Sequence, residues 1–143
     1  MAITINTGFL RTVPGILKLL ECALVLIVLL IARFGGDDGI MMHWSSNNNT
    51  FLGIGTCVGY AIIVPAIILT YLLGSSPSIL EFIINLVGGI LFISMGATVV
   101  SYDGLHSVLG GLAIATGIVF LIDFCYLCIT RKVTIIHTSR NVA

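Results

Sequence analysis

The chain has 143 residues, 58% of them hydrophobic and 8% charged, with six basic and six acidic side chains and a mean hydropathy of +1.18. Soluble domains carry about 25% charged residues, so a water-soluble globular fold is excluded. A net charge of zero removes the electrostatic footprint of a nucleic-acid binder.

Four apolar stretches account for most of the length: residues 13–32, 51–73, 79–100 and 105–129. Each reaches the roughly 20 residues that a helix needs to cross the hydrocarbon at about 1.5 Å per residue. Runs this uniform lack the alternation of a barrel strand. The expected fold is therefore all-α, a single four-helix transmembrane bundle over residues 1–143, with no linker and no low-complexity tract. The first stretch is too long for the apolar region of a signal peptide. Arg33-Phe34-Gly35-Gly36 after it offers no small-x-small cleavage pattern, so it is read as a retained span.

Charge sets the expected orientation. Arg11 and Lys18 lie at the start of the first span and Arg131, Lys132 and Arg140 follow the fourth, whereas Arg33 sits on the other side beside Asp37 and Asp38. The positive-inside bias then places both termini in the cytosol. Gly74-Ser75-Ser76-Pro77-Ser78 reads as a tight turn between spans two and three, and residues 101–105 as a second turn. Loop 34–50 is the one sizeable outer feature. Its Trp44, Met41 and Met42 read as an interfacial anchor or a contact for a neighbouring protein, and its His43 stands alone. Asn48-Asn49-Thr50 is a glycosylation sequon set close to the second span, which disfavours modification of Asn48.

Ionisable residues inside hydrocarbon demand partners. Lys18 and Glu21, three apart on span one, share a helical face. Asn85 on span three and Asp123 on span four fall at the same depth, so the four are expected to form one buried polar layer with a structural role. Glu81, nearer the end of span three, is expected to reach water and favour the helix amino terminus. Gly55-Thr56-Cys57-Val58-Gly59 is a literal GxxxG, and Gly88, Gly89, Gly110, Gly111, Ala115 and Gly117 are further small residues suited to close helix contact. Pro65 is expected to kink span two.

Of the four cysteines, Cys22 and Cys57 lie within spans and Cys125 and Cys128 near the end of span four. None falls in a connection, which argues against a disulfide framework. Cys125-x-x-Cys128 lacks companion ligands for zinc. Beside Arg131 and Lys132 the pair reads as two small membrane residues or as candidate palmitoylation sites. His43, His106 and His137 are scattered, and no catalytic set, metal set or phosphate loop is legible. Neither an enzyme nor a cofactor is expected. The expected partners are the lipid bilayer and other membrane proteins, a second copy included, met through helix faces and loop 34–50.

Leu10-Arg11-Thr12-Val13-Pro14-Gly15-Ile16-Leu17-Lys18-Leu19-Leu20-Glu21 resembles the start of a MARVEL-type four-span protein, in which a basic segment leads into a helix with an early Lys and Glu. Asn85-Leu86-Val87-Gly88-Gly89 resembles that group's third helix and Phe120-Leu121-Ile122-Asp123 its fourth. Within the group, Phe51-Leu52-Gly53-Ile54-Gly55, Val58-Gly59-Tyr60 and Asn85-Leu86-Val87-Gly88 are most similar to the small insect members typified by snakeskin, components of smooth septate junctions. The amino terminus is closer to the MAL and chemokine-like members, which act in membrane traffic. Claudins and tetraspanins are disfavoured because loop 34–50 contains no cysteine. The resemblance implies a non-enzymatic membrane organiser, in junction assembly at lateral plasma-membrane contacts or on trafficking vesicles. A small channel or transporter subunit is the alternative from another class.

Overall fold

Hydrocarbon offers backbone amides no water, so each apolar run must satisfy its own N–H and C=O groups, and a helix does this within one segment. The computed structural model describes residues 7–35, 47–75, 78–101 and 104–141, excepting the side chains of 7, 47–50, 78 and 131–141. Loop residues Asp37, Asp38, Met41, Met42, His43 and Trp44 lie outside the described residues. So do the side chains of Asn48, Arg131, Lys132, His137 and Arg140.

A 3-10 turn, Thr7–Arg11, precedes four α-helices: α1 (Val13–Phe34), α2 (Asn47–Leu72), α3 (Ser78–Val99) and α4 (Leu105–Asn141). All four are long and apolar enough to cross a membrane, and the described elements include no strand. Two boundaries differ from the sequence reading. The helix carrying the sequon begins at Asn47, and α4 continues past Ile129 to Asn141 although its apolar part ends at Thr130. Polarity ends a span, but it does not end a helix.

Local signals set the helix ends. Thr12 caps α1, its Oγ1 accepting from Gly15 N at 3.3 Å, with Pro14 in the first turn where its missing N–H costs nothing. α2 closes in a Schellman motif: Gly74, at φ 80°, donates to Tyr71 O, and Ser75 donates to Thr70 O. α2 runs unbroken through Pro65. Several hydroxyls within the spans bond back to their own helices, as Thr70 does to Ala66 O, Ser94 to Ile90 O and Thr116 to Leu112 O.

Each helix buries one stripe. Val25, Val28 and Ala32 on α1 meet Cys57, Tyr60 and Val64 on α2, Phe92, Met95 and Val99 on α3, and Leu109, Ala113 and Phe120 on α4. Three aromatic rings form the centre: Tyr60 packs edge-on against Phe92 and Phe120, and the two phenylalanines stack at 5.7 Å. The opposite faces, with Leu19, Leu30, Ile62, Leu69, Ile90 and Ile122, are exposed and suit contact with lipid.

Lipid is as apolar as leucine, so close backbone packing has to hold such helices together. The α3–α4 pair does this with a glycine seam. Gly89 packs against Gly117 O, and Gly96, seven residues on, packs against Gly110 O, with Ile93, Ile114 and Leu121 filling the space between. A Cβ on Gly96 would stand 2.6 Å from Gly110 O, and one on Gly88 would stand 2.6 Å from the Tyr60 ring. Gly111 has open space around it and Ala115 is exposed. Gly55 and Gly59 likewise meet nothing within 4 Å, because the inward face of α2 is carried by Thr56, Cys57, Tyr60, Val64 and Ile67.

Gly96→Val should therefore force α3 and α4 apart and cost about 1–3 kcal/mol. Gly111→Ala should be neutral, or stabilising by up to about 1 kcal/mol. Unfolding of both variants in detergent tests this, and equal destabilisation would contradict the seam.

Candidate functional site

Lys18 Nζ is the centre of a charge cluster. Its helix neighbour Glu21 supplies Oε2 at 2.8 Å, Asn85 of α3 supplies Oδ1 at 2.7 Å, and Asp123 of α4 supplies Oδ2 at 2.5 Å. An ammonium has three protons to donate, and these three acceptors match them. Glu81 adds a fourth interaction, its Oε1 lying 3.4 Å from Nζ. Asn85 is used twice: its carbonyl accepts from Lys18 and its Nδ2 donates to Asp123 Oδ2 at 2.8 Å. Lys18, Glu21, Glu81, Asn85 and Asp123 are all 0% exposed.

The structure thus brings together all four residues of the expected polar layer. It also corrects one expectation. Glu81 does not reach water, although it is the fourth residue of α3. Tyr71, at the end of α2, donates its hydroxyl to Glu81 Oε2 and covers it, and the Phe9 ring of the 3-10 turn stacks on Tyr71 with centroids 4.2 Å apart. No sequence signal marked this pairing, because it joins three segments through ring contacts. Tyr60 completes the surroundings from α2, donating to Ile84 O at 2.9 Å across the gap that Gly88 leaves open.

The cluster sets three carboxyl groups against one ammonium, and Glu21 Oε1, Glu81 Oε1 and Asp123 Oδ1 accept no hydrogen bond. Among the described residues, no group of three or more His, Cys, Asp or Glu side chains could hold a metal ion. His106 sits at the start of α4, far along that helix from Asp123.

The other sequence-marked residues lie apart from the cluster. Gly55 and Gly59 line an open apolar groove of about 580 Å³ with Phe51, Leu52, Ile63 and Leu91. The cysteines are free thiols. Cys57 is buried, with its Sγ 3.7 Å from Met95 Sδ, and Cys22 and Cys128 are half-buried. Cys125 is exposed and lines a second apolar groove, of about 420 Å³, with Ile118, Leu121, Ile122, Tyr126 and Ile129.

Four apolar helices around a sealed polar centre define the class, an integral membrane helical bundle. In comparisons with known proteins, no family model, no curated protein and no solved structure matches the chain.

Removing one partner from a buried ion pair leaves uncompensated charge and costs about 3–5 kcal/mol. Lys18→Met strands three carboxyl groups at once and should abolish recovery of folded protein from detergent extracts. Asp123→Leu should reduce folded yield, and Asp123→Asn, which keeps shape and an acceptor, should be milder. A Lys18→Met protein as stable as the parent would remove the cluster from its central place.

Proposed function

We propose that this chain is a non-enzymatic membrane organiser that assembles laterally with other membrane proteins, acting in cell-junction assembly at the plasma membrane. One observation carries the reading. The charged groups within the spans are turned inward and closed off, while the GxxxG of α2 lines an open apolar groove, where a Cβ on either glycine would meet nothing within 4 Å. Small-xxx-small ridges let a second helix approach closely in lipid. The smooth septate junction in particular is supported by the resemblance of residues 51–55, 58–60 and 85–88 to the snakeskin-type MARVEL proteins. The MAL-like segment 10–21 supports a second reading, vesicle traffic and membrane apposition. In both, the termini are cytosolic, and Cys125, exposed beside an apolar groove, is the better placed of the two candidate palmitoylation sites.

Localisation of a tagged copy separates the readings: lateral contacts fit the junction, internal vesicles fit traffic, and a purified protein that conducts ions would replace both. The assembly claim has its own test. A Cβ at Gly55 or Gly59 meets nothing within 4 Å and the groove beyond is open, so the Gly55→Leu, Gly59→Leu double variant should fold, reach the surface and lose crosslinking to its neighbours. Retained crosslinking in a folded, surface-exposed variant would refute lateral assembly through α2. Orientation is read from Arg140→Cys, which should resist impermeant thiol reagents in intact cells and react after permeabilisation.

A further inference from the structure

Glu81 lies one turn inside the end of α3, where a carboxylate ordinarily meets water, and it is fully enclosed. Two aromatic layers separate it from the end of the bundle at which α1 begins. Tyr71 donates to Glu81 Oε2, and the Phe9 ring lies face to face on Tyr71, tilted by 6°. Phe9 belongs to the 3-10 turn, which sits outside the four spans and packs against α1 and α2.

This turn is seated by a few small features. Thr12 donates to Phe9 O twice, from its backbone N at 2.9 Å and from Oγ1 at 2.6 Å. The Phe9 carbonyl then rests directly on Gly15, so closely that a Cβ there would overlap it. Glycine is a poor helix former, and at this position its missing side chain makes room for the turn. The cap of α1 uses the same Thr12 Oγ1, which accepts from Gly15 N, whereas the stack on Tyr71 uses only the Phe9 ring.

We propose that the 3-10 turn is a removable cover on the charge cluster. Seated, Phe9 and Tyr71 keep water from Glu81. Lifted, the turn opens a path from the aqueous phase to Glu81 and, through Lys18, to Glu21 and Asp123. Anything that engages the amino-terminal segment thereby controls hydration of the bundle's polar centre, whichever partners the helix faces meet.

Carboxyl footprinting of the full chain in nanodiscs tests this. Glycine ethyl ester and a water-soluble carbodiimide modify accessible acids, and mass spectrometry reads Glu81 in the folded protein, with the acids of the chain unfolded in SDS as references. In the parent, Glu81 should react slowly. Phe9→Ala removes the stack, and Gly15→Ala pushes the turn off while favouring α1 as a helix. Each should raise the Glu81 rate about three- to tenfold, the scale of one aromatic pair acting on a local opening equilibrium. Gly111→Ala, with open space around it, should change nothing. An unchanged Glu81 rate in either variant, or a parent rate equal to the references, overturns the proposal. Failure of both variants to fold also overturns it, since a removable cover leaves the bundle standing when lifted.

Discussion

One ammonium group sets the register of three helices. Lys18 Nζ bonds within α1 to Glu21, across to Asn85 on α3 and to Asp123 on α4. Apolar side chains slide past one another in lipid at little cost, because lipid is an equally good neighbour for them. A buried cation admits no such slippage. Moving α4 by one residue would turn Asp123 by about 100° around its helix and leave both charges stranded. α2 is tied to the same centre through Tyr71 on Glu81 and Tyr60 on Ile84 O.

The glycine seam and the charge cluster divide this work. Gly89, Gly96, Gly110 and Gly117 bring α3 and α4 into backbone contact, and their heptad spacing keeps the seam facing inward along both helices. The cluster then fixes where the α3–α4 pair sits against α1. The triad of Tyr60, Phe92 and Phe120 fills the level between them, wide enough that Gly88 must leave room for the Tyr60 ring. Packing supplies the closeness, and charge supplies the register.

Much of this was legible in the sequence because hydrocarbon tolerates few exceptions. Four uninterrupted apolar runs admit one architecture, and Lys18, Glu21, Asn85 and Asp123 stood out because polar residues in such runs need one another. The misses share a cause. The place of Glu81 near a helix end predicts contact with water, but its burial comes from rings contributed by the 3-10 turn and α2. Gly96 is not marked by the sequence on its own, because its partner, Gly110, is defined only once the antiparallel register is known, although the repeated spacing of seven is a usable signal. Gly55-x-x-x-Gly59 was visible as a motif, but its direction depends on which face of α2 the core selects.

The spacing of Lys18 and Glu21 also bears on how such a chain enters a bilayer. A single charge near the middle of an inserting helix carries a penalty of about 2.5–3.5 kcal/mol. α1 brings the cation within its span and a carboxylate together, joined at 2.8 Å on one face, so the two can enter the bilayer as a neutral pair before any other helix exists. α3 and α4 each arrive later with one acidic group in the cluster, Glu81 and Asp123, and no basic residue of their own at that depth. Synthesis from the amino terminus thus places the positive charge in the membrane first, and the later helices find their counter-ion already waiting.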